Sequence, residues 1–236
     1  NNITISNPPI ITIDSESFTD ITCHDYSDGT ITVTASGGTG SLHYTLWPDG
    51  TLTQVDNGVF IGLPEGTYYI TVTDDNGCPV ATSGNIVITN PDGISIDSES
   101  YADITCHDID DGTLTIVASG GTGDLSYTLY PDGTLTQLND GVFTGLSAGT
   151  YYVEVSDASS CLLTSNNIVI SNPDVITIDL ESFTDVICHD DDDGTTTVTA
   201  SGGTGTLHYT LWPDGTLTQV NNGLFTGLSA GTYYVT

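Results

Sequence analysis

The sequence predicts an all-β protein built of tandem two-layer sandwiches, and three observations carry that expectation. The stretch that opens at Cys23, CHDYSDGTITVTASGGTG, returns as CHDIDDGTLTIVASGGTG from Cys106 and as CHDDDDGTTTVTASGGTG from Cys188. These cysteines recur after 83 and then 82 residues, too long a period for a solenoid turn and about the length of one small domain. Within each copy, short runs of alternating apolar and polar residues lie between Gly, Pro, Asn and Asp turns, and no stretch shows a helical period. The expected units are residues 9–91, 92–173 and 174–236, preceded by residues 1–8 as the closing strand of another repeat.

Repeat 1 shows the expected elements in order. Asn7-Pro8-Pro9 makes a short, stiff joint, because proline fixes φ and blocks helix, and residues 10–13 follow as an apolar strand. Residues 14–20 then form a polar edge with three carboxylates before Cys23. Residues 30–36 alternate Ile31, Val33 and Ala35 with threonines, the period of a strand with one buried face. Ser36-Gly-Gly-Thr-Gly40 turns the chain. Residues 42–47 place Leu42, Tyr44 and Leu46 on one face and His43, Thr45 and Trp47 on the other, and Pro48-Asp49-Gly50 turns again. Residues 51–55 and 59–61 flank Asp56-Asn57-Gly58, a hairpin signal. Phe60 is expected inside, since Ile61 becomes Thr144 and Thr226 while Phe143 and Phe225 persist. Leu63-Pro-Glu-Gly-Thr-Tyr68 has the form of a tyrosine corner, Tyr68, Ile70 and Val72 face the core, and residues 86–89 close the unit. About seven short strands with such a corner define an immunoglobulin-like Greek-key sandwich, here repeated as an extended array of beads.

Composition narrows the functions. Of 236 residues 37% are apolar, and 31 Asp and Glu face no Lys or Arg, giving a formal charge of −31. Nucleic acid and anionic membrane surfaces are excluded as partners, because both are bound through Lys and Arg. No carboxylate has a Lys or Arg partner in its own chain. Catalysis finds no basic residue to stabilise an anion, no Gly-x-Ser-x-Gly elbow and no phosphate loop, so no enzymatic role is expected.

Five cysteines in repeating positions argue for an oxidising, extracellular compartment. Cys23 and Cys78, like Cys106 and Cys161, are 55 residues apart, which makes one disulfide within each repeat the simple pairing and leaves the partner of Cys188 outside the chain. Pairing across repeats, Cys78 with Cys106 and Cys161 with Cys188, is the rival.

The series Cys23, Asp28-Gly-Thr-Ile31, Ser36-Gly-Gly-Thr-Gly40, Leu63-x-x-Gly-Thr-Tyr68 and Val72-Thr-Asp-Asp-Asn-Gly-Cys78 resembles the SprB-type repeat of very large surface adhesins of gliding Bacteroidota. The resemblance runs in each unit from the first cysteine to the second. It implies a secreted, cell-surface adhesin or fibre of many repeats, without enzymatic activity.

Several groups of residues are candidates for binding. The acidic loops hold Asp25 and Asp28, then Asp108, Asp110 and Asp111, then Asp190, Asp191, Asp192 and Asp193, and carboxylates crowded on a tight Asp-Gly turn are a source of oxygen ligands for calcium. The competing reading is a solvated acidic turn. His24, His107 and His189 lack the spaced Cys and His pairs of a zinc site and are expected to be exposed structural residues. Trp47, Tyr130 and Trp212 lie on the outward face near Tyr69, Tyr152 and Tyr234, where they would contact glycans or merely shield the sheet as cross-strand pairs. Hydroxyl-rich outward faces would accept glycan, and Asn2-Ile3-Thr4 is an N-glycosylation sequon.

The NNITISNP of residues 1–8 matches the NNIVISNP of residues 166–173. The expectation is that further copies of the repeat, in the same chain or a neighbouring subunit, supply the closing strand of repeat 3. Donor-strand assembly is one form this takes. The function expected is thus a structural or adhesive segment of an extracellular bacterial fibre or giant adhesin; the alternative is a carbohydrate-binding array that uses the outward aromatic residues.

Overall fold

The computed structural model describes residues 3–236 except Pro79, Asp132 and Asp214; the sequon at Asn2 lies outside the described residues. Repeat 1 contains β1 (Thr12–Thr19), β2 (Gly29–Ser36), β3 (Leu42–Trp47), β4 (Thr53–Val55), β5 (Val59–Leu63), β6 (Gly66–Asp74), β7 (Ala81–Thr82) and β8 (Ile86–Ile88). Repeat 2 contains β9 (Ser95–Ala102), β10 (Gly112–Ser119), β11 (Ser126–Tyr130), β12 (Leu135–Leu138), β13 (Val142–Leu146), β14 (Gly149–Ser156), β15 (Leu162–Thr164) and β16 (Ile168–Ile170). Repeat 3 contains β17 (Thr177–Thr184), β18 (Gly194–Ser201), β19 (His208–Trp212), β20 (Leu217–Val220), β21 (Gly223–Leu228) and β22 (Tyr234–Val235). No helix occurs among the described residues.

In repeat 1 one sheet has the order β1-β2-β5 and the other β4-β3-β6-β7, with β8 paired to the start of β6. All pairs are antiparallel. Repeat 2 reproduces this order with β9-β10-β13 against β12-β11-β14-β15, and β16 on β14. The arrangement is the immunoglobulin-like Greek-key sandwich, in tandem.

The alternation expected from sequence places the core. Ile31, Val33, Phe60, Ile70 and Val72 are buried between the sheets of repeat 1, and Leu114, Ile116, Phe143, Val153 and Val155 do the same in repeat 2. Each such side chain contributes about 1.5–3 kcal/mol on burial. In repeat 3, Thr196 stands where Ile31 and Leu114 stand, and its hydroxyl donates to the Ser182 carbonyl at 3.3 Å. The corner tyrosines all close their bonds: Tyr68 to the Pro64 carbonyl at 3.0 Å, Tyr151 to Ser147 at 3.0 Å and Tyr233 to Ser229 at 3.1 Å.

Two elements differ from the sequence reading. The polar residues 14–19 are part of the edge strand β1, with a bulge between Ile13 and Ser15, because only its β2 side has a strand to satisfy and hydroxyl pairs such as Ser15–Thr34 and Thr19–Thr30 suit an exposed face. Asp56-Asn57-Gly58 is a crossover and not a hairpin, since β4 and β5 lie in different sheets. Gly58 is required there: a Cβ would fall 2.0 Å from the Val33 carbonyl oxygen.

Candidate functional site at the joint between repeats

The Cys-His-Asp loop between β1 and β2 lies at the end of repeat 1 where β8 leaves it. Asp28 fixes the loop: its Oδ1 accepts from the Thr22 amide at 3.0 Å and its Oδ2 from the Thr22 hydroxyl. These two bonds, the hydroxyl one first, hold the Asp28 carboxyl below its ordinary range. Asp111 receives the same pair from Thr105, at 2.5 Å from the hydroxyl and 2.9 Å from the amide, and is lowered for the same reason. Asp193 accepts from the Ile187 amide at 3.0 Å.

The loop so held grips the outgoing chain. His24 donates from Nδ1 to the Pro91 carbonyl at 2.8 Å, which fixes a proton on that nitrogen. The Asp25 amide donates to Asn90 Oδ1 at 3.1 Å, and Asn90 Nδ2 returns a bond to Asp25 Oδ1 at 3.3 Å. Asp25 adopts φ 60°, a left-handed conformation that Asp tolerates. The second joint repeats every part, with His107 to the Pro173 carbonyl at 2.8 Å, Asp108 to Asn172 at 3.2 Å and Asn172 to Asp108 at 2.9 Å. His24 and His107 are thus the exposed structural residues that the sequence predicts, and the linker carbonyl is the partner that local pattern does not name. The signal for their role was that Cys-His-Asp recurs with the same period as Asn-Pro.

From the other side, the joint is held by the glycine turn of the following repeat. The Gly121 amide donates to the Asp92 carbonyl at 3.0 Å, and a Cβ on Gly120 would fall 2.0 Å from the Gly93 oxygen, so only glycine lets the linker backbone pass. Gly203 and Gly202 meet Asp174 and Val175 in the same way. This turn is locked to the second-cysteine loop by a buried acid. Asp74, 3% exposed, accepts from the amides of Thr39, Asn76 and Cys78 and from the Thr39 hydroxyl, all between 2.9 and 3.0 Å. These bonds, the Cys78 amide foremost, overcome burial and hold its carboxyl at about 2. Asp157 likewise accepts from Thr122, Ser159 and Cys161 at 2.8, 2.9 and 2.9 Å.

The disulfide lies across the joint. Cys23 is bonded to Cys161, 138 residues away in the next repeat, so the pairing of Cys23 with Cys78 and of Cys106 with Cys161 is corrected. The reason is the direction of the strands. Cys23 precedes β2 and Cys78 follows β6, and β2, β3 and β6 run alternately up and down the sandwich. The two cysteines therefore sit at opposite poles, separated by the eight residues of β2, roughly 25 Å, whereas a disulfide needs Cα atoms within about 7 Å. The rival pairings Cys78–Cys106 and Cys161–Cys188 are not formed either: Cys78, Cys106 and Cys188 are free thiols. Burial and the Asp74 charge push the Cys78 thiol up, away from thiolate character.

The remaining candidates fall into separate places. Asp25 and Asp108 are engaged with the joint asparagines. Asp190 has φ 65° and lies 3.6 Å from the His189 ring, while Asp192 accepts from the Ser229 hydroxyl at 2.5 Å. Asp110 and Asp191 are exposed. Among the described residues no group of three or more His, Cys, Asp or Glu side chains is arranged to hold a metal ion. Trp47 stacks on Tyr69 with ring centroids 6.0 Å apart and donates from Nε1 to Thr71 Oγ1 at 3.0 Å. Tyr130 stacks on Tyr152 at 4.9 Å and Trp212 on Tyr234 at 6.1 Å. Each pair is directly opposite in register, the geometry of cross-strand shielding.

Among the described residues no helix is long and apolar enough to cross a membrane. No curated protein matches the chain. Among solved structures, similarity is found to a C-terminal 282-residue fragment of intimin in complex with the intimin-binding domain of its translocated receptor, at 15% identity over 73% of this chain and 67% of that one, TM-score 0.35. Chicken CNTN1 domains FN1–FN3 align at 13% identity over 97% and 91%, TM-score 0.27, and Drosophila OTK extracellular domains 3–5 at 11% over 94% and 91%, TM-score 0.29. The SprB repeat family matches residues 15–51, 98–134 and 180–216. Each match begins within the edge strand, includes the Cys-His-Asp loop, the glycine turn and the Pro-Asp-Gly sequence, and stops short of the second cysteine. The chain therefore carries the SprB repeat in three tandem copies.

Proposed function

We propose that the chain is a structural or adhesive segment of an extracellular bacterial surface fibre or giant adhesin. The observation that carries this is the joint: at both junctions the same His, Asp and Asn side chains clamp the linker, so that successive repeats are joined in a repeated, built geometry. A disulfide across the joint supports an oxidising location, outside the cytoplasm. Near-equal copies suit multivalent or mechanical work.

Its partners, on this reading, are further copies of the repeat. In repeats 1 and 2, Ile86 with Ile88 and Ile168 with Ile170 are buried from β8 and β16 beside the corner tyrosine. Repeat 3 has at the same place a groove of about 820 Å³ lined by Val186, Val198, Leu228 and Tyr233. The Asn-Ile-x-Ile pattern of these strands also occurs in residues 2–5, where Ile3 and Ile5 are 88% and 94% exposed. A peptide of residues 166–173 should protect repeat 3 from proteolysis where a scrambled peptide does not.

The function itself is tested by labelling intact source cells with antibody against the chain. Label along filaments outside the cell supports the reading; label seen only after permeabilisation contradicts it.

A further inference from the structure

The bond from Cys23 to Cys161 joins the loop before β2 in one repeat to the loop after β14 in the next, and the parts that place those two sulfurs recur along the chain. Cys78 stands where Cys161 stands: each amide donates to its buried acid, Asp74 or Asp157, at 2.9 Å. Cys106 and Cys188 stand where Cys23 stands. In all three the cysteine carbonyl accepts from the amide three residues on, from Tyr26 at 3.0 Å and from Ile109 and Asp191 at 3.2 Å. At the second joint Thr204, in the glycine turn of repeat 3, donates to the Thr105 carbonyl at 2.9 Å, directly beside Cys106. The turn of the following repeat is thus already seated on the preceding cysteine loop. A partner within the repeat is barred by the strand-length separation of the two poles.

We propose that the first cysteine of every repeat pairs with the second cysteine of the next, giving a staggered series of disulfides that fastens the joints covalently. Cys106 and Cys188 then reach forward to following repeats, and Cys78 receives the first cysteine of a preceding one. Each bond forms from two thiols with loss of two protons and two electrons to a disulfide oxidant by thiol–disulfide exchange. These three pairings rest on the reading of the chain as part of a longer repeat assembly; the consequence of the Cys23–Cys161 bond does not.

That consequence is mechanical. Tension applied along the chain passes from Cys23 straight to Cys161, so β2 through β14 and the linker between the repeats add no length even when they unfold. Continued along an array, the load runs through one bond, then the short stretch from a second cysteine to the next first cysteine, as from Cys161 to Cys188, and then through the next bond. Such a fibre yields little under pull although each sandwich is small.

Stretching single molecules between residues 1 and 236 tests this. Without reductant the chain should stop short, and reduction should release the 138 bypassed residues, about 480 Å at roughly 3.5 Å per residue. Cys161→Ser should reach full length without reductant. Two reducible loops of 55 residues, about 190 Å each, would overturn the bypass, as would a full length that reductant does not change. In the native assembly, peptic peptides holding Cys106 or Cys188 should be linked to a second-cysteine segment, and Cys78 to a Cys-His segment. Finding these three as free thiols, or Cys106 and Cys188 joined to each other, would overturn the staggered series.

Discussion

The amide of Cys161 donates to the Asp157 carboxylate at 2.9 Å, and the same carboxylate holds Thr122 in the glycine turn, so one buried acid positions both the sulfur and the surface that meet the preceding repeat. Asp157→Ala should leave three amides without their acceptor and cost about 1–3 kcal/mol. Urea unfolding followed in the oxidised chain checks the loss. An unchanged midpoint would show that Asp157 does not organise the loop.

Acid should act through Asp74. Its folded value, about 2, lies below the ordinary 3.8, so its contribution is complete above about pH 4 and is lost as pH falls through 2. Asp28 and Asp111 are lowered too and act in the same sense. Protonation of the other carboxylates works oppositely, by relieving the repulsion of a −31 chain. The comparison of wild type with Asp74→Asn separates the two. Melting temperature should fall more steeply between pH 4 and 2 in the wild type, and parallel curves would contradict the assignment.

Much of this was legible in the sequence, and what was missed has a physical cause. Ile31, Val33, Phe60, Ile70 and Val72 are buried as their alternation requires, and the tyrosine corner at Tyr68 was readable from Leu63 to Tyr68. The equal 55-residue spacing of Cys23 with Cys78 and of Cys106 with Cys161 points to pairing within a repeat, but spacing alone does not show at which pole of the sandwich each cysteine lies. Five strands, β2 to β6, run between Cys23 and Cys78 in alternating directions, and this odd number of passes puts the two cysteines at opposite poles. Asp56-Asn57-Gly58 misled for a related reason: local turn chemistry does not say whether the next strand joins the same sheet. The His24 clamp depends on a carbonyl 67 residues away, which local pattern does not display.

Trp47 is expected to serve the sheet. Trp47→Ala removes its stack on Tyr69 and its bond to Thr71, and should lower stability by about 0.5–1.5 kcal/mol beyond the lost burial. Glycan arrays probed with wild type and variant should give the same pattern. Binding that vanishes with Trp47→Ala and Trp212→Ala in a folded chain would establish the carbohydrate reading instead.

The acidic loops should respond to cations by screening. Asp28, Asp111 and Asp193 are turned onto backbone amides and do not converge with their neighbours. Melting curves in calcium and sodium chloride at equal ionic strength should coincide. A saturable rise with calcium alone would establish Asp108, Asp110 and Asp111, or residues 190–193, as ligands.

The central claim is that covalent fastening runs from repeat to repeat, and disulfide mapping of the chain tests it most directly. With no Lys or Arg for trypsin, pepsin at low pH is the suitable protease, and acid also suppresses exchange. For the 236-residue chain by itself the prediction is a linked peptide pair holding Cys23 and Cys161, with Cys78 and Cys106 joined neither to each other nor to that pair; their partners are supplied by other repeats in the native assembly. A pair joining Cys23 to Cys78, or Cys106 to Cys161, would contradict it.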